Sequence, residues 1–539
     1  MEQNLSSGME RTKLLMTDFK ERGRQVRKLI ADQACTMPLL PSGLWFHGDI
    51  RDNFYYASYL YAAAIEDEQL AVGKVAAINK ATSVLLGVLS LQDRDPGSDT
   101  YGHWPLNLGE RPAQAPINRL PVELMGCLIA VFNQRYGDSL PSALRSSLSQ
   151  SIEHMYLSRY YAAPLRMYNH HEAKHTAAAI LFGTIKQDRG LVQSGGERVR
   201  STLAQLQAHG MTEYGILPWF WHWTQAYSAA WEIVQDDGIR ADIETLLEWL
   251  WKERADHYFQ GAWAGPHSRS LPMDAPADRC VAFDYVQFGD FPLPLGVQRA
   301  EYAGLLAYEI SESLRRQVLE RQYPFEITRD YPSSVLEQDQ TRHSYVYMDE
   351  HFALGGMLER ASEFDNEQHR WDFTFPIRDG SVNQAYFVHP AANAKDKLRH
   401  SSDAEEIALN RNCLVALYQP ISEADKKQGI VGILPLGEWV TGELALYGQV
   451  GQTYLAVHFM KPFIMEAIET GLEVEALEGG SNGVVLEAIS TIEAAAYGIS
   501  SLDDFVTDRG RNKPRFTYIP LSASYVSITG MPLSLRHSR

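Results

Sequence analysis

The chain has 539 residues and a formal net charge of −18. It is longer than one hydrophobic core usually organises and too acidic for a phosphate-backbone partner, so two domains are expected and nucleic acid is excluded. With 45% hydrophobic, 22% charged and 11% aromatic residues, the composition is globular and rich in aromatics, and Cys35, Cys127, Cys280 and Cys413 are too widely spaced for a CxxC metal pair or a disulfide framework.

The opening residues, MEQNLSSGMERTKLLMTDFK, lack the apolar stretch of a signal peptide, and no run of 18 apolar residues follows. A cytoplasmic protein without a membrane partner is expected, and its oligomeric state stays open. From about residue 10 to 322 apolar residues recur at helical spacing, beginning with Leu15, Met16, Phe19, Val26, Leu29 and Ile30. This predicts helices over 54–68, 74–91, 120–135, 144–160, 171–186, 196–209, 226–235, 239–257 and 299–320. So many helices with almost no alternating pattern predict paired helices in a bundle, solenoid or ring. The connections between them are rich in Trp, Tyr, His, Gly and Pro, as loops around a working site are.

Five segments of this half carry candidate chemistry. Trp45 to Asn53 (WFHGDIRDN) and Tyr101 to Pro105 (YGHWP) read as cleft walls, with His103 and Trp104 as substrate contacts and Asp49 and Asp52, together with Glu172 and Glu213, as carboxylates for a hydrolase. At a predicted helix start stands Tyr168-Asn169-His170-His171-Glu172-Ala173-Lys174-His175. His171 to His175 matches H-E-x-x-H, which on a helix puts two imidazoles on one face for zinc with Glu172 as general base, although Lys174 is an unwelcome cation there. Glu213-Tyr214 leads into WFWHW, where Trp219, Trp221 and His222 suit a sugar platform or an aromatic plug, followed by Tyr227. Finally, a glycine-rich loop, 261–270, presents His267 and Arg269, whose guanidinium could fork onto a carboxylate or pair with a structural Asp.

Past Tyr331 the pattern changes to short β-branched and aromatic runs between turn residues: SYVYM, WDFTF, QAYFV, CLVALY, GIVGIL, TYLAVHF, GVVLEA, RFTYI and SYVSI. Their number and spacing predict a β-sandwich. The expected fold class is a multidomain α+β protein, helical over 1–328 and an antiparallel β-sandwich over 329–539.

This order of elements resembles the heparinase II/III-like polysaccharide lyases and their alginate- and chondroitin-lyase relatives. The sandwich entry, His343 to Met348 leading to Phe352 to Gly356, is similar to the start of that family's C-terminal region. Asn169-His170 with Tyr214 or Tyr227 can be placed on the family's Asn-His step and later tyrosine, although WFWHWTQAY departs from the family's tyrosine segment. The resemblance implies an (α/α) toroid before the sandwich and β-elimination on a uronic-acid oligo- or polysaccharide. Asn169 and His170 would neutralise the uronate carboxylate. A tyrosine, Tyr227 by preference, would be base and acid, its phenol lowered by His222 or Arg269. Glu213, Trp219, Trp221, His267, Arg269, His103 and Trp104 would bind substrate. No cofactor is implied; zinc belongs to the peptidase alternative, and a glycoside hydrolase on the same toroid is the other competing reading.

Overall fold

Helical periodicity in the first half becomes two rows of helices in the computed structural model, which describes residues 17–268, 280–293, 295, 297–331, 341–360, 369–378 and 381–538. Two compact units divide the chain. The first comprises Met1–Gly210, Pro218–Lys252 and Val281–Arg315, the second Met211–Leu217, Glu253–Cys280 and Arg316–Arg539.

In the first unit, helices α1 (Phe19–Thr36), α3 (Lys74–Ser90), α5 (Ser142–Ser158), α7 (Arg189–His209) and α9 (Asp237–Asp256) alternate with α2 (Ile50–Ile65), α4 (Pro121–Tyr136), α6 (His170–Lys186) and α8 (Leu217–Ile233). The alternation follows from composition. The second set is apolar or alanine-rich around most of its circumference, as in NFYYASYLYAAAI and TAAAILFG, and is almost wholly buried. The first set keeps a polar side, which places it outside. Among the inner helices α2 neighbours α4, and α4 neighbours α6. Tyr302 closes the ring between α8 and α2. Its backbone N–H donates to Gln225 Oε1 at 3.2 Å and its hydroxyl to Ser58 Oγ at 2.7 Å, while its ring stacks on Phe54. The short α10 (Ala282–Gln287) packs on α1, where the Arg22 guanidinium donates to the carbonyls of Val286 and Gln287.

Two helical expectations change. The run expected at 299–320 is helical only over Glu312–Leu319, because Arg299 and Glu301 take φ values of 47° and 24°, which break a helix. The helix expected at 226–235 begins at Leu217, so the aromatic segment is helical rather than a loop. Leu15 and Met16 lie outside the described residues.

The second unit is an antiparallel sandwich. Eight strands, β1 (Phe325–Tyr331), β2 (Arg342–Met348), β3 (Ala353–Met357), β4 (Trp371–Thr374), β5 (Gln384–Val388), β8 (Val431–Pro435), β12 (Phe463–Ile468) and β13 (Gly471–Ala476), pair in the order β12-β13-β8-β5-β4-β3-β2-β1. Six more, β6 (Glu405–Asn410), β7 (Cys413–Tyr418), β9 (Glu438–Thr441), β10 (Ala445–Val450), β11 (Thr453–Phe459) and β14 (Asn482–Ser490), pair as β6-β7-β14-β11-β10-β9. Leu354, Phe373 and Phe387 of the first sheet share one apolar core with Leu414, Ala416, Leu455 and Leu486 of the second.

The opposite face of β7, Cys413, Val415 and Leu417, packs on a third sheet of β15 (Arg515–Tyr518), β16 (Leu521–Val526) and β17 (Pro532–Arg536), which is why CLVALY is apolar on both of its faces. The division expected at 328/329 falls inside β1, which pairs along its length with β2. No helix among the described residues is long and apolar enough to cross a membrane.

Candidate functional site

The inner helices of the first unit bring their N-terminal turns together, and the ionisable residues of those turns form one cluster with the 299–301 segment. Asp49 caps α2, accepting from the Arg51 backbone N–H at 2.9 Å, and holds the Arg51 guanidinium through both carboxylate oxygens at 2.5–3.1 Å. Asn169 caps α6, its side-chain oxygen accepting from the backbone N–H groups of His171 and Glu172 at 3.1 Å each. His170, in the first turn of α6, stacks on Trp219 of α8 with 5.1 Å between rings and lies 5.5 Å from the ring of His222. His222 Nε2 is 3.9 Å from Glu301 Oε1, and Arg299 is 3.7 Å from the same oxygen.

Burial and charge set the protonation of this cluster. Burial pushes Glu301 up to about 8, against the pull of Arg299 and Arg51, so the carboxyl is protonated at neutral pH. Burial and then Asp49 push Asp52 up to about 6. Burial, followed by the charge of Lys174, holds His222 well below the ordinary imidazole range, so it is neutral. Among the described residues, neither ring nitrogen of His222 nor Glu301 Oε2 has a hydrogen-bond partner, although all three atoms are buried. Such groups are costly to leave unsatisfied and are expected where a ligand completes them.

A second layer lies behind His170. Glu123 of α4 receives the Lys174 ammonium at 2.7 Å, His171 Nδ1 at 2.7 Å and, at 3.5 Å, His175 Nε2. Burial alone would raise the Glu123 carboxyl, but Lys174 and the two imidazoles hold it below its ordinary range. This corrects the zinc reading of HEAKH. His171 and His175 do share a face, yet that face meets a carboxylate already paired with Lys174. Glu172 is also committed elsewhere, accepting from the backbone N–H groups of Arg166, Met167 and Tyr168.

Of the residues singled out from sequence, Asn169, His170, Trp219 and His222 therefore stand together. Tyr227 is fully buried further along α8, near Trp223, and burial raises its phenol, the opposite of what a base requires. Trp221 is buried against Phe283 and Trp251, and Trp104 is buried with its indole N–H on the Val88 carbonyl; both are core residues rather than sugar contacts. His103 is buried against Tyr160, where burial lowers its imidazole. Glu213, Tyr214 and His267 belong to the second unit, in which Tyr214 packs on Met357 and its carbonyl accepts from the Ser268 N–H. Arg269 lies outside the described residues. Sequence reasoning missed Glu301, Arg299 and Glu123. The first two sit in a stretch with helical periodicity, and Glu123 has no motif around it.

The first unit is a helical ring with a cluster of histidines, carboxyls and arginines at one end, and the second is an antiparallel sandwich. No protein-family model matches the sequence, and no curated protein matches it. Among solved structures the chain is similar to chondroitin AC lyase of Streptomyces coelicolor A3 in complex with chondroitin sulphate, at 10% identity and a TM-score of 0.47, over 94% of this chain and 85% of that one. It is also similar to a heparinase III (9% identity, TM-score 0.39, 97% and 91% covered) and to endoglucanase CelQ of Clostridium thermocellum (10%, 0.27, 87% and 92%).

Proposed function

We propose that the chain is a carbohydrate-active enzyme that cleaves a uronic-acid-containing oligo- or polysaccharide by β-elimination. The observation that carries this reading is the buried pair His222 and Glu301, whose ring nitrogens and Oε2 have no hydrogen-bond partner among the described residues, set beside Arg51 and Arg299 at the converging helix starts. Removing the proton on the carbon next to a uronate carboxyl requires a base and a means of neutralising that carboxylate as the enolate forms. Neutral His222 supplies the base. Protonated Glu301 donates to the carboxylate, and the arginines and the helix N-termini add positive potential. Trp219, partly buried and stacked on His170, offers the sugar a flat face. His222 takes the proton, the electron pair from the broken C–H bond forms the new double bond, and the glycosidic oxygen leaves with the proton returned by the His222 imidazolium.

The split between Glu301, near 8, and Asp52, near 6, favours a second reading, hydrolysis, in which a protonated acid works opposite an ionised carboxylate. A panel of uronate oligosaccharides followed by ultraviolet absorbance and mass separates the two. Elimination gives absorbing products whose combined mass equals that of the substrate. Non-absorbing products heavier by one water overturn the lyase reading.

A further inference from the structure

The second unit holds a cleft that the proposed chemistry does not use. The turns β2–β3, β4–β5, β8–β9 and β10–β11 meet Gln260 around a cavity of about 430 Å³, within the size range of small-ligand sites. Phe375, Val382, Pro435 and Val450 give it an apolar wall. Its other groups are polar and converge from separate turns: His351 from β2–β3, Arg378 and Ser381 from β4–β5, and Gln452 from β10–β11.

Charge and geometry define the ligand this cleft accepts. Among the described residues no carboxylate lines it, although the chain carries a net charge of −18. Arg378, exposed at the mouth, makes no ion pair among the described residues. Its guanidinium lies on the β10–β11 turn, where Gly451 takes a φ of 60° and a Cβ would come within 2.5 Å of Arg378 Nη2. Both the backbone and the arginine resting on it therefore call for glycine at 451. Across the cleft, His351 Nε2 is buried and has no hydrogen-bond partner among the described residues, which is costly unless a ligand completes it. Thr453 fixes the His351 backbone, its hydroxyl donating to the His351 carbonyl at 3.3 Å.

We infer that this cleft is a second binding site, for an acidic pyranose held by Arg378 and His351. The guanidinium fork matches a carboxylate on the sugar ring, and the imidazole, the Ser381 hydroxyl and the Gln452 amide suit ring hydroxyls. The apolar wall takes the C–H face of the ring. A bare inorganic anion would use the arginine and leave that wall unoccupied. Every lining residue belongs to the second unit, whereas the histidine and carboxyl cluster of the ring belongs to the first, so the site does not depend on what reaction the ring performs.

Titration calorimetry on the full-length chain tests this with methyl β-glucuronide, which carries no sugar on O4 and so is not cut by elimination, against neutral methyl β-glucoside and sodium sulfate. The glucuronide should bind, and the other two should bind at least about tenfold more weakly, the scale of one charge-assisted hydrogen bond. Arg378→Ala and His351→Ala should each weaken the glucuronide by about tenfold or more, while His222→Ala, in the ring, should keep a binding event of unchanged affinity. Arg378 is exposed, so Arg378→Ala should unfold at the temperature of the unaltered chain. Should His351→Ala fail to fold, Gln452→Ala takes its place. No binding of the glucuronide, sulfate binding as tight as the glucuronide, or binding kept in Arg378→Ala and lost in His222→Ala, overturns the inference. Failure to cleave uronate oligosaccharides would sink the elimination reading alone, since the glucuronide titration does not involve cleavage.

Discussion

Glu301 and Asn169 are the residues whose replacement separates structure from chemistry. A carboxyl raised to about 8 in the folded chain, from an ordinary value of 4.5, keeps a proton that the unfolded chain gives up. Its contribution to stability is therefore fully present below about 4.5 and is lost as pH rises through about 8. Glu301→Gln, which cannot ionise, should flatten that part of the stability profile, as denaturant titrations between pH 5 and 9 would show. If protonated Glu301 neutralises the substrate, turnover of the unaltered chain should fall as pH rises through about 8. Asn169 caps α6, and the family resemblance would also have it neutralise the uronate carboxylate. Asn169→Ala should cost about 0.5–2 kcal/mol of stability through the lost cap. Asn169→Ser keeps a capping oxygen, so any remaining loss of turnover, of about a hundredfold if the amide contacts the developing charge, belongs to chemistry.

At the scale of elements, the start of α6 shows what spacing reveals and what it hides. Asn169 followed by Glu172 and an alanine-rich run is legible as a helix start. The match to H-E-x-x-H is equally legible but misleads, because only the fold shows Glu172 turned back onto the preceding backbone and Glu123 brought across from α4. Periodicity likewise found most helices and the alternating strands. It failed at 299–311, where two residues with positive φ interrupt an apolar repeat that sequence alone reads as continuous. The Glu123–Lys174 pair gives a prediction at this scale. Both side chains are at least nine-tenths buried, so Glu123→Ala removes the carboxylate that faces a buried ammonium. It should cost about 3–5 kcal/mol, measured by denaturant unfolding, whereas Glu123→Ala combined with Lys174→Met should recover much of that loss.

For the whole molecule, the two compact units are interleaved in sequence, since 253–280 belongs with the sandwich and 281–315 with the helices. Phe259 and Ala264 share a core with Ile327, Val346, Met348 and Ala353. A fragment ending at residue 328 would leave that core without its β2 and β3 partners. It should bind a hydrophobic dye and unfold less cooperatively than the full chain, as fluorescence and calorimetry would show. Hydrophobic patterning could not reveal this, because it reports local period and is silent on which distant segments share a core. The ring has one more consequence. The groups proposed to react are drawn from the opening turns of separate helices and one irregular segment, while the helix bodies supply the packing. Specificity can therefore drift through exchanges in those turns without disturbing the barrel of side chains beneath, so the scaffold is open to divergence in what it accepts while its stability stays largely insulated from the change.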